Sequence, residues 1–226
     1  MPLRTPHKRA LVAGGTGRVG TAIVERLRAD GWDVVSAGSA DGDLRTQAGA
    51  TALAARAVDE LGGLELLVYA AGDGFEPKPL AEVTEEDWDA ALDVTAKGTF
   101  FLAQAAAPAL RSSNGVLVII EDVASYQAWP SFAAHCAAKA AQAMLTRVLA
   151  RALAPEVRVC GVAPGAVAVE PGQEERRAAE TLLRRVGAPE DVADAVVFLT
   201  HANYVTGTSL VVDGGRLLKT GGGGRP

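Results

Sequence analysis

The chain has 226 residues, of which 49% are hydrophobic and 22% charged, and its formal net charge is −5. That length suits one α/β domain with a large core, and the acidic balance argues against nucleic acid or an anionic membrane as partner. Two isolated cysteines, Cys136 and Cys160, read as buried small hydrophobes in a reducing compartment, not as a disulfide framework.

The first strand covers Ala10 to Ala13, preceded by a short basic lead-in (Arg4, His7, Lys8, Arg9) that reads as a solvated approach. Three spaced glycines follow, Gly14, Gly17 and Gly20, and then Val19, Ile23 and Leu27 recur every four residues. This is strand, turn and amphipathic helix. Gly14 can take backbone angles closed to other residues, Gly17 has no Cβ to block a pyrophosphate, and Gly20 lets the helix lie close to the strand. The free amides and the positive dipole end of the helix then face the phosphates. A dinucleotide turn built from Gly14, Thr16, Gly17, Arg18, Val19 and Gly20 is therefore expected; the plainer alternative is a glycine-rich βα turn with no ligand.

Beyond Gly31, Asp33 to Ala37 reads as a strand, Gly38 to Gly42 as a polar loop, and Gln47 to Leu61 as an alanine-rich helix. Leu64 to Ala71 is an apolar strand closed by Gly72. Thr84 to Asp87 has the capping-box pattern at the head of a long helix reaching Ala109, with Trp88, Leu92, Thr95 and Thr99 on one face and Pro108 weakening its end. Val116 to Glu121 is a strand, Phe132 to Ala154 a helix stopped by Pro155, and Val157 to Ala163 a strand stopped by Pro164-Gly165. Glu170 to Glu180 reads as a short charged lid. Pro189 opens a helix to Thr200, and Ser209 to Val212 is the last strand. Strand and helix alternate throughout, which predicts a doubly wound parallel sheet in one domain over 1–219, with a flexible tail over 220–226. No apolar run has membrane-spanning length and no secretory leader precedes the first strand, so a cytoplasmic protein is expected.

In order and spacing, the glycine turn, Asp43-Leu44, Ala71-Gly72, Lys139 in a helix of small residues, Pro164-Gly165, Gly187-Ala-Pro-Glu-Asp-Val, Val205-Thr-Gly and Asp213-Gly-Gly resemble the short-chain dehydrogenase/reductase family. The resemblance implies a Rossmann fold, a nicotinamide cofactor, a small-molecule substrate and a homodimer or homotetramer packed through its two long helices. Arg18 stands where the commonest branch has its second glycine and looks like the pteridine reductases. Only a short loop separates the second strand from Asp43-Leu44, so an edge strand of the family's sheet is expected to be missing. At the end of that second strand the family's NAD-binding acid is replaced by Gly38 and Ser39. Ser39 and Arg18 together suit a 2′-phosphate, which favours NADP(H) and leaves NAD(H) open, with Asp43 near the adenine. By the same resemblance Leu44, Ala71, Gly72, Lys139, Pro164, Gly165 and Val167 line the cofactor. No metal site is expected.

The family's catalytic pattern is broken. Lys139 holds the family's Lys position, but His135 stands where Tyr belongs, Asp122 where Ser belongs and Thr95 where Asn belongs. His135 and Lys139 share a helix face one turn apart, and an Asp beside a His orients the ring and favours its protonated form. Imidazole is a competent general acid near neutral pH, so Asp122 and His135 can replace the Ser–Tyr pair. The alternative is a packed helix histidine in a protein that has lost the chemistry. Tyr126 reads as a second proton donor or a pocket-lining aromatic, and Trp129 as a wall for a flat substrate. The leading expectation is an NADP(H)-dependent reductase of a C=N or C=O bond in a flat cyclic molecule; an iminium acceptor would tolerate the loss of Tyr. A non-redox cyclase, isomerase or dehydratase, or a non-catalytic cofactor-binding homologue, stands as the alternative.

Overall fold

The computed structural model describes residues 8–73 and 75–219. Arg4 and His7 of the basic lead-in, and the tail over 220–226, lie outside the described residues. Six strands form one parallel sheet in the order β2-β1-β3-β4-β5-β6. The strands are β1 (Arg9–Ala13), β2 (Asp33–Ala37), β3 (Leu66–Tyr69), β4 (Val116–Ile120), β5 (Arg158–Pro164) and β6 (Ser209–Val212). The central strands are apolar along their whole length because both faces are covered; Leu66 to Tyr69 and Val116 to Ile120 are buried without alternation.

On one face lie α2 (Gln47–Leu61), α4 (Gly98–Ser113) and α5 (Ala133–Leu153), enclosing a core with Leu53, Leu67, Leu102, Leu117 and Leu149. On the other lie α1 (Arg18–Ala29) and α7 (Pro189–His201), around Ile23, Leu27, Val68, Val118 and Val196. The smaller helices are α3 (Glu85–Leu92) and α6 (Glu174–Ala179). The chain steps outward from β1 to β2 and returns to β3 on the other side of β1. That reversal opens a crevice at the carboxyl ends of β1 and β3, where such sheets bind ligands. β2 is the sheet edge, in keeping with the short connection after it: Gly38 to Gly42 holds a single 3₁₀ turn over Ser39–Asp41.

The structure corrects several expectations. The long helix from Thr84 is interrupted: α3 passes through a five-residue π-helical segment, Asp93–Lys97, before α4 begins. The buried Tyr69 hydroxyl donates to the Val94 carbonyl inside that segment. The wider turn also slips the helix face, so Thr95 and Thr99 are buried while Trp88 is exposed. Pro108 does not end α4, which runs on to Ser113 and closes on Asn114 at φ 52°. A proline removes one donor only, the one that would bond the Gln104 carbonyl, and Ser112 Oγ adds a bond to the Pro108 carbonyl. Cys136 is half-buried, because its side of α5 faces the Gln127 carbonyl and not the core.

The glycine turn rests on close contact. Gly14 has φ +81°, and a Cβ there would lie 2.5 Å from the Ala70 carbonyl carbon and the Ala71 nitrogen. A Cβ on Gly20 would lie 2.0 Å from the Gly14 oxygen, whereas one on Gly17 meets only that oxygen, at 3.5 Å. Gly20→Ala is therefore expected to cost about 1–3 kcal/mol, the usual range for forced overpacking. In thermal unfolding that is a fall of roughly 2–4 °C per kcal/mol. Gly17→Ala should leave the midpoint near the native value. A Gly20→Ala chain that melts with the native one would show that α1 is not seated on the turn this way.

Candidate active site

After β4 the Glu121 amide still donates to Val162 O at 2.7 Å, and Asp122 then starts a 3₁₀ turn, its Oδ1 accepting from the Ala124 amide at 2.7 Å. This fixes the carboxylate and turns Oδ2 toward His135 Nε2, 3.6 Å away. His135 comes from the first turn of α5 and is only 5% exposed, yet neither ring nitrogen has a hydrogen-bond partner. Nearly all buried polar atoms in folded proteins are satisfied, so two open positions on one imidazole mark unused capacity. Phe75 meets the ring edge-on at 4.9 Å and stacks on Phe132 at 4.9 Å.

One turn further along α5, the buried Lys139 Nζ donates to Ile120 O and to Gln142 Oε1, both at 3.0 Å. Burial pushes its pKa below the ordinary lysine value, while Asp122 and then Glu121 pull it back up. Gln142 Nε2 in turn donates to Thr99 Oγ1 at 2.9 Å and to Thr95 O at 3.3 Å. The network thus ties Lys139 to the π-helical segment. Gly72 lies over this group: a Cβ there would stand 3.7 Å from Thr95 Oγ1 and 3.8 Å from Lys139 Nζ. His135, Asp122, Lys139 and Thr95, read from separate stretches of sequence, converge at the carboxyl ends of β3 and β4.

Two members of the site escaped the sequence reading. Gln142 carries one signal, a polar residue three places after Lys139 on a helix face otherwise made largely of alanine. Glu121 is buried at the end of β4, its Oε1 accepting from Thr146 Oγ1 at 2.5 Å. It fits because β5 has glycine opposite: a Cβ on Gly161 would lie 2.1 Å from that oxygen. Tyr126 stands in the same loop, 44% exposed, and its phenol makes no hydrogen bond among the described residues. Trp129 Nε1 donates to Gln127 Oε1, and the Arg216 guanidinium covers the indole at 5.0 Å.

At the other end of the crevice, α1 starts on Gly17 with no side-chain cap and no acid in its first turn. The amides of Arg18, Val19 and Gly20 are thereby left for an anion, while Thr16, Gly17 and Arg18 are exposed. Gly38 packs against Thr16, whose Oγ1 would lie 2.5 Å from a Cβ there, and Ser39 is exposed beside it. The Gly38 amide donates to Asp41 Oδ2 at 2.8 Å, and Asp41 pairs with Arg56 at 3.3 Å, placing an unforeseen charged pair at the end of β2. Asp43 is held by Arg45, whose hydrogen bonds keep its carboxyl below the usual range, and Leu44 packs onto the core. Ala71 packs on the same core, the Gly165 amide after Pro164 donates to Val212 O at 2.9 Å, and Val167 bridges to Gly187. Arg18 does not reach toward β2. Its guanidinium bonds Glu170 at 2.8 Å in the segment after β5, four strands away from β2 in the sheet. The uncapped α1 start follows β1, and Gly72, close over Lys139, follows the neighbouring β3.

Residues 18–216 match the family model described as enoyl-(acyl carrier protein) reductase. The human dehydrogenase/reductase SDR family member 4 is 32% identical over 242 residues, covering 92% of this chain and 87% of that protein. The chain belongs to the short-chain dehydrogenase/reductase family. Among solved structures, the Thermoplasma acidophilum aldohexose dehydrogenase superposes with a TM-score of 0.92 at 24% identity, over 97% of this chain and 98% of that one, a likeness of fold. A blue fluorescent protein from a metagenomic library, solved in complex with NADPH, superposes with a TM-score of 0.85 at 28% identity over 92% of this chain and 97% of that one. As a short-chain dehydrogenase/reductase the chain is a member of an oxidoreductase family. No helix among the described residues is long and apolar enough to cross a membrane, and no group of three or more metal-ligating side chains occurs among them.

The buried Lys139 gives a pH signature. Its folded pKa lies below the ordinary 10.5, so over the interval beneath that value the unfolded chain holds a proton the folded chain has released. Stability must rise with pH wherever the unfolded state binds more protons. In denaturant unfolding, the native chain is expected to gain stability relative to Lys139→Met as pH is raised from neutral toward 10.5. A constant difference between the two chains would mean that Lys139 titrates like a solvated lysine.

Proposed function

We propose that the protein is an NADP(H)-dependent oxidoreductase that reduces a C=N or C=O bond of a small, flat, cyclic molecule, with NAD(H) the weaker cofactor. One observation carries this reading: a buried imidazole with two open nitrogens, 3.6 Å from a carboxylate and one helical turn from a buried lysine. The NADPH complex of the metagenomic relative supports the cofactor. The exposed Ser39 supports it further, since no acid occupies the final position of β2.

A bound reduced nicotinamide supplies the hydride; the chain supplies the rest. The α1 amides and Gly17 hold the pyrophosphate. Lys139, fixed by Ile120 O and Gln142, binds the nicotinamide ribose. His135 gives a proton to the oxygen or nitrogen that becomes negative, and Asp122, 3.6 Å from its Nε2, orients the ring. Phe75 and Phe132 offer ring faces to a flat substrate. Ser39 receives the 2′-phosphate, joined by Arg18 once that side chain leaves Glu170. We place the enzyme in the cytoplasm, in accord with its two free thiols. It acts as a homodimer or homotetramer through α4 and α5; Met144 and Val148 leave an apolar strip on the outer face of α5 at 52% and 49% exposure.

His135→Phe is expected to cut NADPH-dependent turnover roughly 10²-fold or more, the loss typical of a positioned acid, with cofactor affinity unchanged. His135→Tyr should keep carbonyl reduction. Native turnover in His135→Phe would remove the acid role. For the cofactor, Arg18→Ala should weaken NADPH binding by about 1.5–3 kcal/mol, the worth of a charge-assisted bond, and leave NADH binding near its native value. Equal affinity of the native chain for the two cofactors, read by fluorescence titration, would overturn the NADP(H) assignment.

A further inference from the structure

After β5 the chain is pinned twice: the Gly165 amide donates to Val212 O and the Gly187 amide to Ala166 O, both at 2.9 Å. It then turns at Ala168, whose φ of 50° is a left-handed value that a residue with a side chain seldom adopts. The turn carries Glu170 back to the start of α1, where its Oε1 accepts from Arg18 Nη2 at 2.8 Å. β1 and β5 stand three strand spacings apart, roughly 14 Å, so the path of the segment makes this contact and strand pairing does not. Arg18 is the first residue of α1, where the helix dipole disfavours a cation, and the first turn holds no acid and no side-chain cap. Glu170 supplies the missing negative charge. Among the described residues neither side chain has another charged partner. Both are exposed, at 60% and 66%, so a competing ion from solvent can reach either.

β2 and β5 lie on opposite sides of β1 in the sheet. A guanidinium turned to Glu170 is therefore turned away from Ser39 at the end of β2, and the two bonds exclude one another. A group held elsewhere lowers the apparent affinity for its ligand by the fraction of time it is engaged. We infer that Glu170 determines cofactor specificity as a positioning residue that acts through Arg18. As an internal anion it competes with the 2′-phosphate for that guanidinium, and so sets how far NADPH is favoured over NADH. NADH carries no 2′-phosphate, so its binding is not opposed in this way. The carboxylate also repels any phosphate near α1, but that field acts on both cofactors alike and cancels in their ratio. The inference rests on the NADP(H) reading above for the identity of the ligand, and on the ion pair itself for the competition.

The test is a double-mutant cycle on the full chain, with NADPH and NADH titrated calorimetrically and read as the ratio of their dissociation constants. Glu170→Gln keeps the size of an exposed side chain and removes its charge. It is expected to raise the preference for NADPH by about two- to fivefold, the factor that an exposed ion pair commands. Placed in Arg18→Ala, the same substitution should leave the preference where it was. A preference unmoved by Glu170→Gln, or a gain that persists without Arg18, overturns the proposal. The NADP(H) assignment fails separately. A native chain that binds both cofactors equally, yet gains NADPH preference in Glu170→Gln, loses that assignment and keeps the competition. A native preference for NADPH that Glu170→Gln does not change does the reverse. Binding of neither cofactor at millimolar concentration overturns both.

Discussion

A buried ammonium cannot stay charged without partners, and the architecture around Lys139 is organised by that constraint. Its Nζ lies where the last carbonyl of β4, the side chain of Gln142 and the negative field of Asp122 and Glu121 come together. Each of those groups is itself tied elsewhere. Gln142 holds Thr95 and Thr99, Glu121 holds Thr146, and Asp122 caps its own turn. Moving the lysine would therefore disturb β4, α5 and the π-helical segment together.

The π-helical segment shows how that rigidity is shared. Tyr69, at the end of β3, reaches across to the Val94 carbonyl, and the Thr95 carbonyl accepts from both Thr99 and Gln142. The wider turn leaves these carbonyls within reach of side chains from β3 and α5 and carries Thr95 under Gly72. The site floor is thus assembled from β3, the π-helical segment and the middle of α5.

Charge is distributed unevenly along the crevice. At the glycine turn the partial positive ends of backbone dipoles are uncapped, which suits phosphates. At the His135 end, carboxylates dominate. The carboxyl edge of the sheet therefore carries opposite electrostatic preferences at the glycine turn and beside His135. The Arg18–Glu170 pair links the turn to the segment that precedes α6.

The sequence by itself determined the order and kind of the elements, because hydrophobic period, glycine placement and caps are local signals. β2, α2 and β6 fall on the residues the pattern marks, and the short connection after β2 leaves it at the sheet edge. It also singled out His135, Asp122 and Lys139, through resemblance to the family's catalytic pattern. Only the tertiary structure decided what these residues touch. The direction of Arg18, the burial of His135 without a partner, the bonding of Gln142 and the room for Glu121 over Gly161 all depend on side chains from strands and helices far apart in the chain. Local pattern could place Thr95 on a helix but not foresee the π turn. That turn answers to the Tyr69 hydroxyl, 25 residues earlier in sequence and brought beside it by the sheet.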